Sequence, residues 1–217
     1  NSIILLLLSG ITLNGVMEWW SGGVLETIPI LPYAIAPLRR YLFHQDKRKM
    51  EQLEIEVKFY LRDIESMQRR ILALGAESRG RIFESNVRYE DENSTLIKKK
   101  SLLRLRRAAK TTLTFKSSPQ VASTQFKVFN ELEVVVSDFE SMNQILQKLG
   151  FHPEQIYEKW RETLILDQTW FFLDTMPYGA FLEIEGSEKD IRTYAANLDL
   201  NWHRRILLNY LEIFEKP

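Results

Sequence analysis

A chain of 217 residues that is 45% hydrophobic and 27% charged is long enough to build one substantial core plus an appendage. Its 29 Lys and Arg balance 29 Asp and Glu, so no net field draws it onto nucleic acid or an anionic membrane, and a general polyanion-coating protein is excluded. With no cysteine there is no disulfide framework, thiol nucleophile or Cys-ligated zinc; the composition fits a reducing, cytoplasmic setting and leaves only oxygen and nitrogen chemistry.

Residues 1–38 carry two charges, Glu18 and Glu26, and open on the apolar run Ile3–Leu8, whereas charge is dense from Arg39 onward. A membrane span needs about 20 consecutive apolar residues. Here Ser9, Gly10, Asn14, Glu18 and the prolines Pro29, Pro32 and Pro37 interrupt the run. No basic residue precedes it, as a secretory signal requires, although Arg39, Arg40, Lys47, Arg48 and Lys49 would suit the cytoplasmic flank of an anchor. An anchor, a flexible extension and translated sequence upstream of the true start are the three readings of residues 1–49. The expectation is that this stretch lies outside the fold and that the functional domain spans 50–217, beginning at Met50. Leaving out its five basic and three acidic residues gives 24 against 26, a net charge of −2, so the near-balance persists.

Residues 53–61 alternate apolar with charged, which predicts a strand with Glu54, Glu56 and Lys58 on one face and Ile55, Val57 and Phe59 on the other. A helix follows, capped by Asp63, striped by Ile64, Met67, Ile71, Leu72 and Leu74, and stopped at Gly75. Residues 76–90 read as extended without a legible register. Within them Gly75–Ile82 falls short of a phosphate-binding loop, with Arg81 in place of Lys and Ile82 in place of Ser or Thr, and reads as a turn. Leu103–Arg106 and Thr112–Lys116 flank a turn at Ala108–Lys110 and form a predicted hairpin.

The opening unit then recurs. Glu131-Leu-Glu133-Val134 leads to Asp138, Glu140-Ser141-Met142, Ile145-Leu146 and Leu149-Gly150, and Asp to Gly spans twelve positions in both copies. Gln155–Leu166 carries Lys159 and Arg161 on one face, with a turn near Asp167-Gln168. Trp170–Asp174 and Ala180–Glu185 flank a further turn at Pro177–Gly179. A third Glu-x-Glu pair, Glu183 and Glu185, precedes Ser187 and Asp190, a capping-box start for a helix over Glu188–Leu198. Arg204–Phe214 reads as a closing helix with Ile206, Leu207, Tyr210, Leu211 and Phe214 on its apolar side. The pattern amounts to about eight strands, mostly antiparallel, and about four helices, with duplicated halves rather than a solenoid.

The strand faces carry six acids, Glu54, Glu56, Glu131, Glu133, Glu183 and Glu185, and six bases, Lys58, Arg104, Arg106, Lys116, Lys159 and Arg161. For any one strand, alternating charge is what a solvated sheet face looks like. As a set they differ from an ordinary surface, because acids come in Glu-x-Glu pairs and bases in Arg-x-Arg or Lys-x-Arg pairs. If the sheet closes on itself these faces become an interior, where unpartnered charge is prohibitive. A polyanion with its metal ions would supply the partners: carboxylates without His or Cys favour Mg²⁺ or Mn²⁺, and guanidinium forks grip phosphate oxygens.

Residues 50–217 resemble, over nearly their whole length, the CYTH family of triphosphate tunnel metalloenzymes, which includes class IV adenylate cyclases, thiamine triphosphatases and inorganic triphosphatases. The motif is Glu54-Ile-Glu56-Val-Lys58, followed in order by Leu103–Arg106, Thr114–Lys116, Glu131-Leu-Glu133, Lys159-Trp-Arg161, Asp174 and Gly179–Glu185. The resemblance implies an α+β fold whose eight antiparallel strands close into a tunnel with flanking helices. It further implies Glu54, Glu56 and Lys58 as the catalytic group. Glu54, Glu56, Glu131, Glu133, Glu183 and Glu185 become the metal-binding set, with Glu54, Glu56 and Glu185 favoured. Lys58, Arg104, Arg106, Lys116, Lys159 and Arg161 become phosphate contacts. One departure stands out: where many relatives carry a base just before the middle Glu-x-Glu, this chain has Phe129-Asn130, with Lys127 further back.

The implied reaction is hydrolysis of inorganic tripolyphosphate or an organic triphosphate such as thiamine triphosphate by metal-activated water. Two alternatives are cyclisation of ATP to cyclic AMP and pyrophosphate by a class IV adenylate cyclase, and a polyphosphate- or nucleotide-binding module without turnover. A small-molecule triphosphate is the expected partner, with no nucleic acid, no membrane partner beyond the anchor reading of residues 1–49, and a homodimer compatible. His44, His152 and His203 are scattered, which suits surface or capping roles better than a metal site or triad. Lys98–Lys100 reads as a solvated loop, and Trp160 and Trp202 as packing residues.

Overall fold

The computed structural model describes residues 16–21, 24–29, 52–119 and 123–214. The chain divides into two compact units, residues 1–50 and 51–217. In the first, β1 (Val16–Ser21) and β2 (Val24–Pro29) form an antiparallel hairpin, in register from Val16↔Pro29 to Ser21↔Val24. The apolar run Ile3–Leu8, the basic residues Arg39–Lys49 and Met50 lie outside the described residues. Among the described residues no helix is long and apolar enough to cross a membrane.

The second unit is built on eight strands, β3 (Gln52–Leu61), β4 (Glu77–Asp91), β5 (Leu102–Arg107), β6 (Thr111–Ser117), β7 (Lys127–Val136), β8 (Phe151–Leu166), β9 (Thr169–Met176) and β10 (Gly179–Glu185). All pairings are antiparallel, and the sheet closes in the order β10-β3-β7-β6-β5-β4-β8-β9. A closed sheet has no free edge and two unlike faces. Here the apolar face looks outward: Val57, Phe59, Phe171, Leu173, Leu182 and Ile184 pack against Met67 and Ile71 of α1 (Ile64–Ala73) and Ile191 and Ala195 of α4 (Glu188–Asn197). A second cluster puts Val87, Tyr89, Leu103 and Leu105 beneath Leu146 of α3 (Phe139–Lys148). The hydrophobic core therefore lies outside the barrel wall, and the charged faces turn inward.

The helices start where their caps place them. The Asp63 carboxylate accepts from the Ser66 N–H at 2.9 Å, the Asp138 carboxylate from the Ser141 N–H at 2.7 Å, and the Ser187 hydroxyl from the Asp190 N–H at 3.1 Å. The first and second of these helices end at Gly75 and Gly150, whose φ values of +98° and +91° suit a residue without Cβ. The short helix α2 (Thr95–Lys98) is held by Glu90, whose carboxylate accepts from the N–H groups of Leu96 and Ile97 at 2.9 and 2.8 Å.

Two sequence expectations need correction. Of the stretch 75–82, expected as a turn, only Gly75 is one; residues from Glu77 open β4, whose register against β8 shifts between Ser78 and Arg81, around Gly80 at φ +92°. Residues 204–214 do not form one helix. A 3₁₀ turn at Trp202–Arg204 is followed by extended chain, and only α5 (Tyr210–Phe214) is helical. The cause lies in β3, whose pairing with β7 ends at Glu56↔Lys127. Beyond that point the Lys58 backbone needs partners. Ile206 provides both, donating to Lys58 O at 2.7 Å and accepting from Lys58 N at 3.1 Å.

Candidate active site

Strand alternation positions the charged groups. On β5, Arg104 and Arg106 turn into the barrel between Leu103 and Leu105, which go to the core; β3, β8 and β10 follow the same rule. The lumen has two parts. An inner chamber is lined by Glu56, Lys58, Arg88, Lys127, Tyr157, Lys159, Glu183 and Tyr210, and an open mouth by Glu54, Arg106, Glu131, Glu133, Trp170, Phe172 and Glu185. Arg104, Lys116 and Arg161 line both and form the neck between them. Each of the twelve acids and bases singled out from the sequence therefore faces this lumen.

Among the described residues, the inner chamber and neck gather seven cations, Lys58, Arg88, Arg104, Lys116, Lys127, Lys159 and Arg161, against the carboxylates Glu56 and Glu183. The cations are held by internal pairs. Lys58 sits between Glu56 and Glu183, at 2.5 and 2.8 Å, and Lys127 reaches Glu56 at 2.8 Å. Lys116 bridges Glu54 and Glu131, and Arg106 meets Glu133 at 3.2 Å. Burial opposes the charge on Lys58, but Glu183 and Glu56 outweigh it and raise its pKa, so the ammonium stays charged. Burial and Glu183 push Glu56 upward, yet Lys127, Lys58 and Lys116 keep its carboxyl below the usual range.

Comparison with known proteins matches the unit that encloses this lumen. The family model of the CYTH domain fits residues 52–209. The chain belongs to the CYTH domain family. No curated protein matches it. Among solved structures it is similar to the PH1012 protein of Pyrococcus horikoshii OT3, at 28% identity and TM-score 0.63 over 73% of this chain and 98% of that one. It shares its fold with a candidate adenylate cyclase from Vibrio parahaemolyticus, at 18% identity and TM-score 0.65 over 75% and 98%. It also shares it with HpAC1 from Hippeastrum, an adenylyl cyclase candidate described as having a dominant triphosphatase activity, at 16% identity and TM-score 0.54 over 75% and 94%.

Within this CYTH tunnel no three His, Asp or Glu side chains among the described residues stand as a ready cation cage. Glu133 and Glu183 are engaged by Arg106 and Thr114, and by Lys58 and Arg161. Glu185 differs: among the described residues its carboxylate has neither a hydrogen bond nor an ion pair. Burial, reinforced by the charges of Glu54, Glu183 and Glu56, raises its pKa to about 8. Glu54 is also raised, by burial that outweighs Lys116. Glu54 and Glu56 are paired with Lys116 and with Lys58 and Lys127, but all three carboxylates are hard oxygen donors of the kind a divalent cation takes. Glu54, Glu56 and Glu185 are the residues that would hold it.

The CYTH tunnel also contains groups to which no role was given from sequence. Lys127 lies four residues before Glu131, on the same strand face, and stands in register with Glu56; two-residue periodicity carried that far back would have found it. Asp174, noted only as a motif position, is fully buried and accepts from Lys159 at 2.9 Å, from Arg161 at 2.7 and 2.6 Å, and from the Tyr210 hydroxyl at 2.6 Å. Glu84, Asn86 and Arg88 come from β4, whose register was illegible. Among the described residues, Glu84 Oε2, both polar atoms of Asn86 and Arg104 Nε are buried without a hydrogen-bond partner, and of these Glu84 and Arg104 border the lumen.

Proposed function

We propose that the chain is a divalent-metal-dependent triphosphatase acting on inorganic tripolyphosphate or an organic triphosphate within the barrel. The observation that carries this reading is the inner chamber, whose wall presents seven cations; Glu54, Glu131, Glu84 and Asp174 pair three of them, while among the described residues Arg88 and Arg104 meet no carboxylate and Arg104 Nε is buried without a partner. Convergent cations with unsatisfied donors in a confined lumen suit a polyanion. Lys58, Lys116, Lys127 and Lys159 offer point charges, and Arg104, Arg106 and Arg161 offer planar forks that match phosphate oxygens. Because Lys58 stays charged, it acts as a fixed electrostatic clamp rather than as a proton acceptor. Asp174 orients Lys159 and Arg161, fixing the cradle before substrate arrives.

Phosphoryl transfer is governed by positioning and neutralisation of charge more than by covalent chemistry. Glu54, Glu56 and Glu185 would hold a divalent ion, Mg²⁺ or Mn²⁺, which when bound would supply charge neutralisation and a more acidic water. The second reading is a class IV adenylate cyclase, and the open mouth favours keeping it, since the same cradle leaves room for a nucleoside outside the neck. A paired product assay separates them. Purified protein with Mg²⁺ or Mn²⁺ is expected to release phosphate from tripolyphosphate rather than cyclic AMP and pyrophosphate from ATP. Glu56→Ala is expected to lower turnover by roughly 10²-fold; unchanged turnover would refute the assignment. Tight triphosphate binding with no product under any divalent metal would instead establish a binding module.

A further inference from the structure

Resting on the triphosphate reading, we infer that the mouth carries a stacking site for an aromatic heterocycle, with Trp170 and Phe172 as the residues that select a headed triphosphate over bare tripolyphosphate. Trp170, Phe172 and Asp174 occupy alternate positions of β9 and so line one inward face. Asp174 fixes Arg161 in the neck through two hydrogen bonds. The Arg161 guanidinium lies 4.0 Å from the centroid of the Phe172 ring. Phe172 in turn stacks on Trp170, at 6.2 Å between centroids and 22° between planes. Cation, ring and ring thus form a continuous column leading from the phosphate cradle out through the mouth.

The rest of the mouth has matching chemistry. Trp170 is 42% exposed and Val135 57% exposed, both within a cavity whose opposite wall is the Ala108–Ala109 turn. A large aromatic surface left partly in water at the rim of a charged tunnel is unfavourable unless something covers it. A bare tripolyphosphate, charged along its whole length, has nothing to place there. A triphosphate ester does: with its phosphates on Lys58, Lys159 and Arg161, its heterocycle emerges beyond the neck along the Phe172–Trp170 face. Stacking of this kind tolerates any base with a π-face, so the selection is for an aromatic head and not for one particular ring.

The test is a binding titration of the full chain in EDTA, with ATP and inorganic tripolyphosphate as probes. In wild type, ATP is expected to quench tryptophan emission and tripolyphosphate is not. Trp170→Phe keeps a ring but removes the reporter, so the ATP-dependent quench should disappear while affinity is largely retained. Trp170→Ala should weaken ATP about tenfold and shift tripolyphosphate less than twofold. An undiminished quench in Trp170→Phe, or equal loss of both probes in Trp170→Ala, overturns the stacking site while leaving the triphosphate reading intact. Failure of wild type to bind either probe, in EDTA and again with Mg²⁺, overturns the triphosphate reading, and the stacking site with it.

Discussion

Asp174 shows how much a single buried carboxylate organises in this tunnel. Burial favours its neutral form, but Arg161 and Lys159 hold it ionised, with its pKa below the usual carboxylate range. Asp174→Asn keeps the shape and removes the charge, leaving Arg161 and Lys159 their longer contacts to Glu183 at 3.4 Å and Glu84 at 3.7 Å; stability should fall by about 3 kcal/mol in urea unfolding. Glu185 makes the opposite case. Its folded pKa of about 8 lies above the ordinary value of 4.5, so in metal-free protein the folded state holds this proton more tightly than the unfolded chain does. The contribution is complete below about pH 4.5 and declines as pH rises towards 8. In EDTA, wild type should therefore lose stability relative to Glu185→Gln between pH 5 and 8, and Mg²⁺ should abolish the difference. A parallel pH profile for the two proteins would remove Glu185 from the cation site. The residues in this network were legible from sequence wherever a strand had clear alternation. Asn86 and Arg88 were not, because nothing local fixes the register of β4, and Tyr210 was hidden inside what read as a helix.

At the scale of elements, short-range rules were dependable where the interaction is itself short-range. Asp63 and Asp138 reach only three residues ahead to Ser66 and Ser141, and the glycines that stop their helices act through their own φ. Asp138→Ala should cost about 1 kcal/mol. Asp63→Ala should match it within a few tenths, since the two caps share one geometry; a clearly unequal pair of urea midpoints would contradict that equivalence. The same rules misread 204–214, because the apolar spacing of Ile206, Leu207, Tyr210 and Leu211 suits a helix, while the incentive to extend comes from a backbone far away in sequence. Periodicity cannot report an unfilled hydrogen-bond position on Lys58.

At the scale of the whole catalytic unit, the barrel is closed at its inner end by the C-terminal segment. Ile206 bridges β3, Tyr210 reaches Asp174, and Tyr210, Phe181 and Met176 form a cluster with Tyr178 and Ile213 around it. Tyr210→Phe removes a buried hydrogen bond to a charged acceptor and is expected to cost about 2 kcal/mol, read as a lower urea midpoint. We also propose that residues 50–217 carry the activity by themselves. A protein starting at Met50 should retain the turnover and the unfolding midpoint of that unit, and loss of either would tie residues 1–49 to it.

The sequence by itself determined which residues are charged, their two-residue spacing along each strand, and the caps that start the helices. These are properties of neighbours along the chain, and they sufficed to select twelve of the charged residues that line the lumen, though not Glu84, Arg88 or Lys127. Tertiary structure decided what those charges meet. Closure of the sheet set Glu56 against Lys127, gave Asp174 its donors from β8 and from the C-terminal segment, and left Glu185 without a hydrogen bond or ion pair among the described residues. Those outcomes depend on pairings between residues tens of positions apart, which burial in a common lumen makes strong.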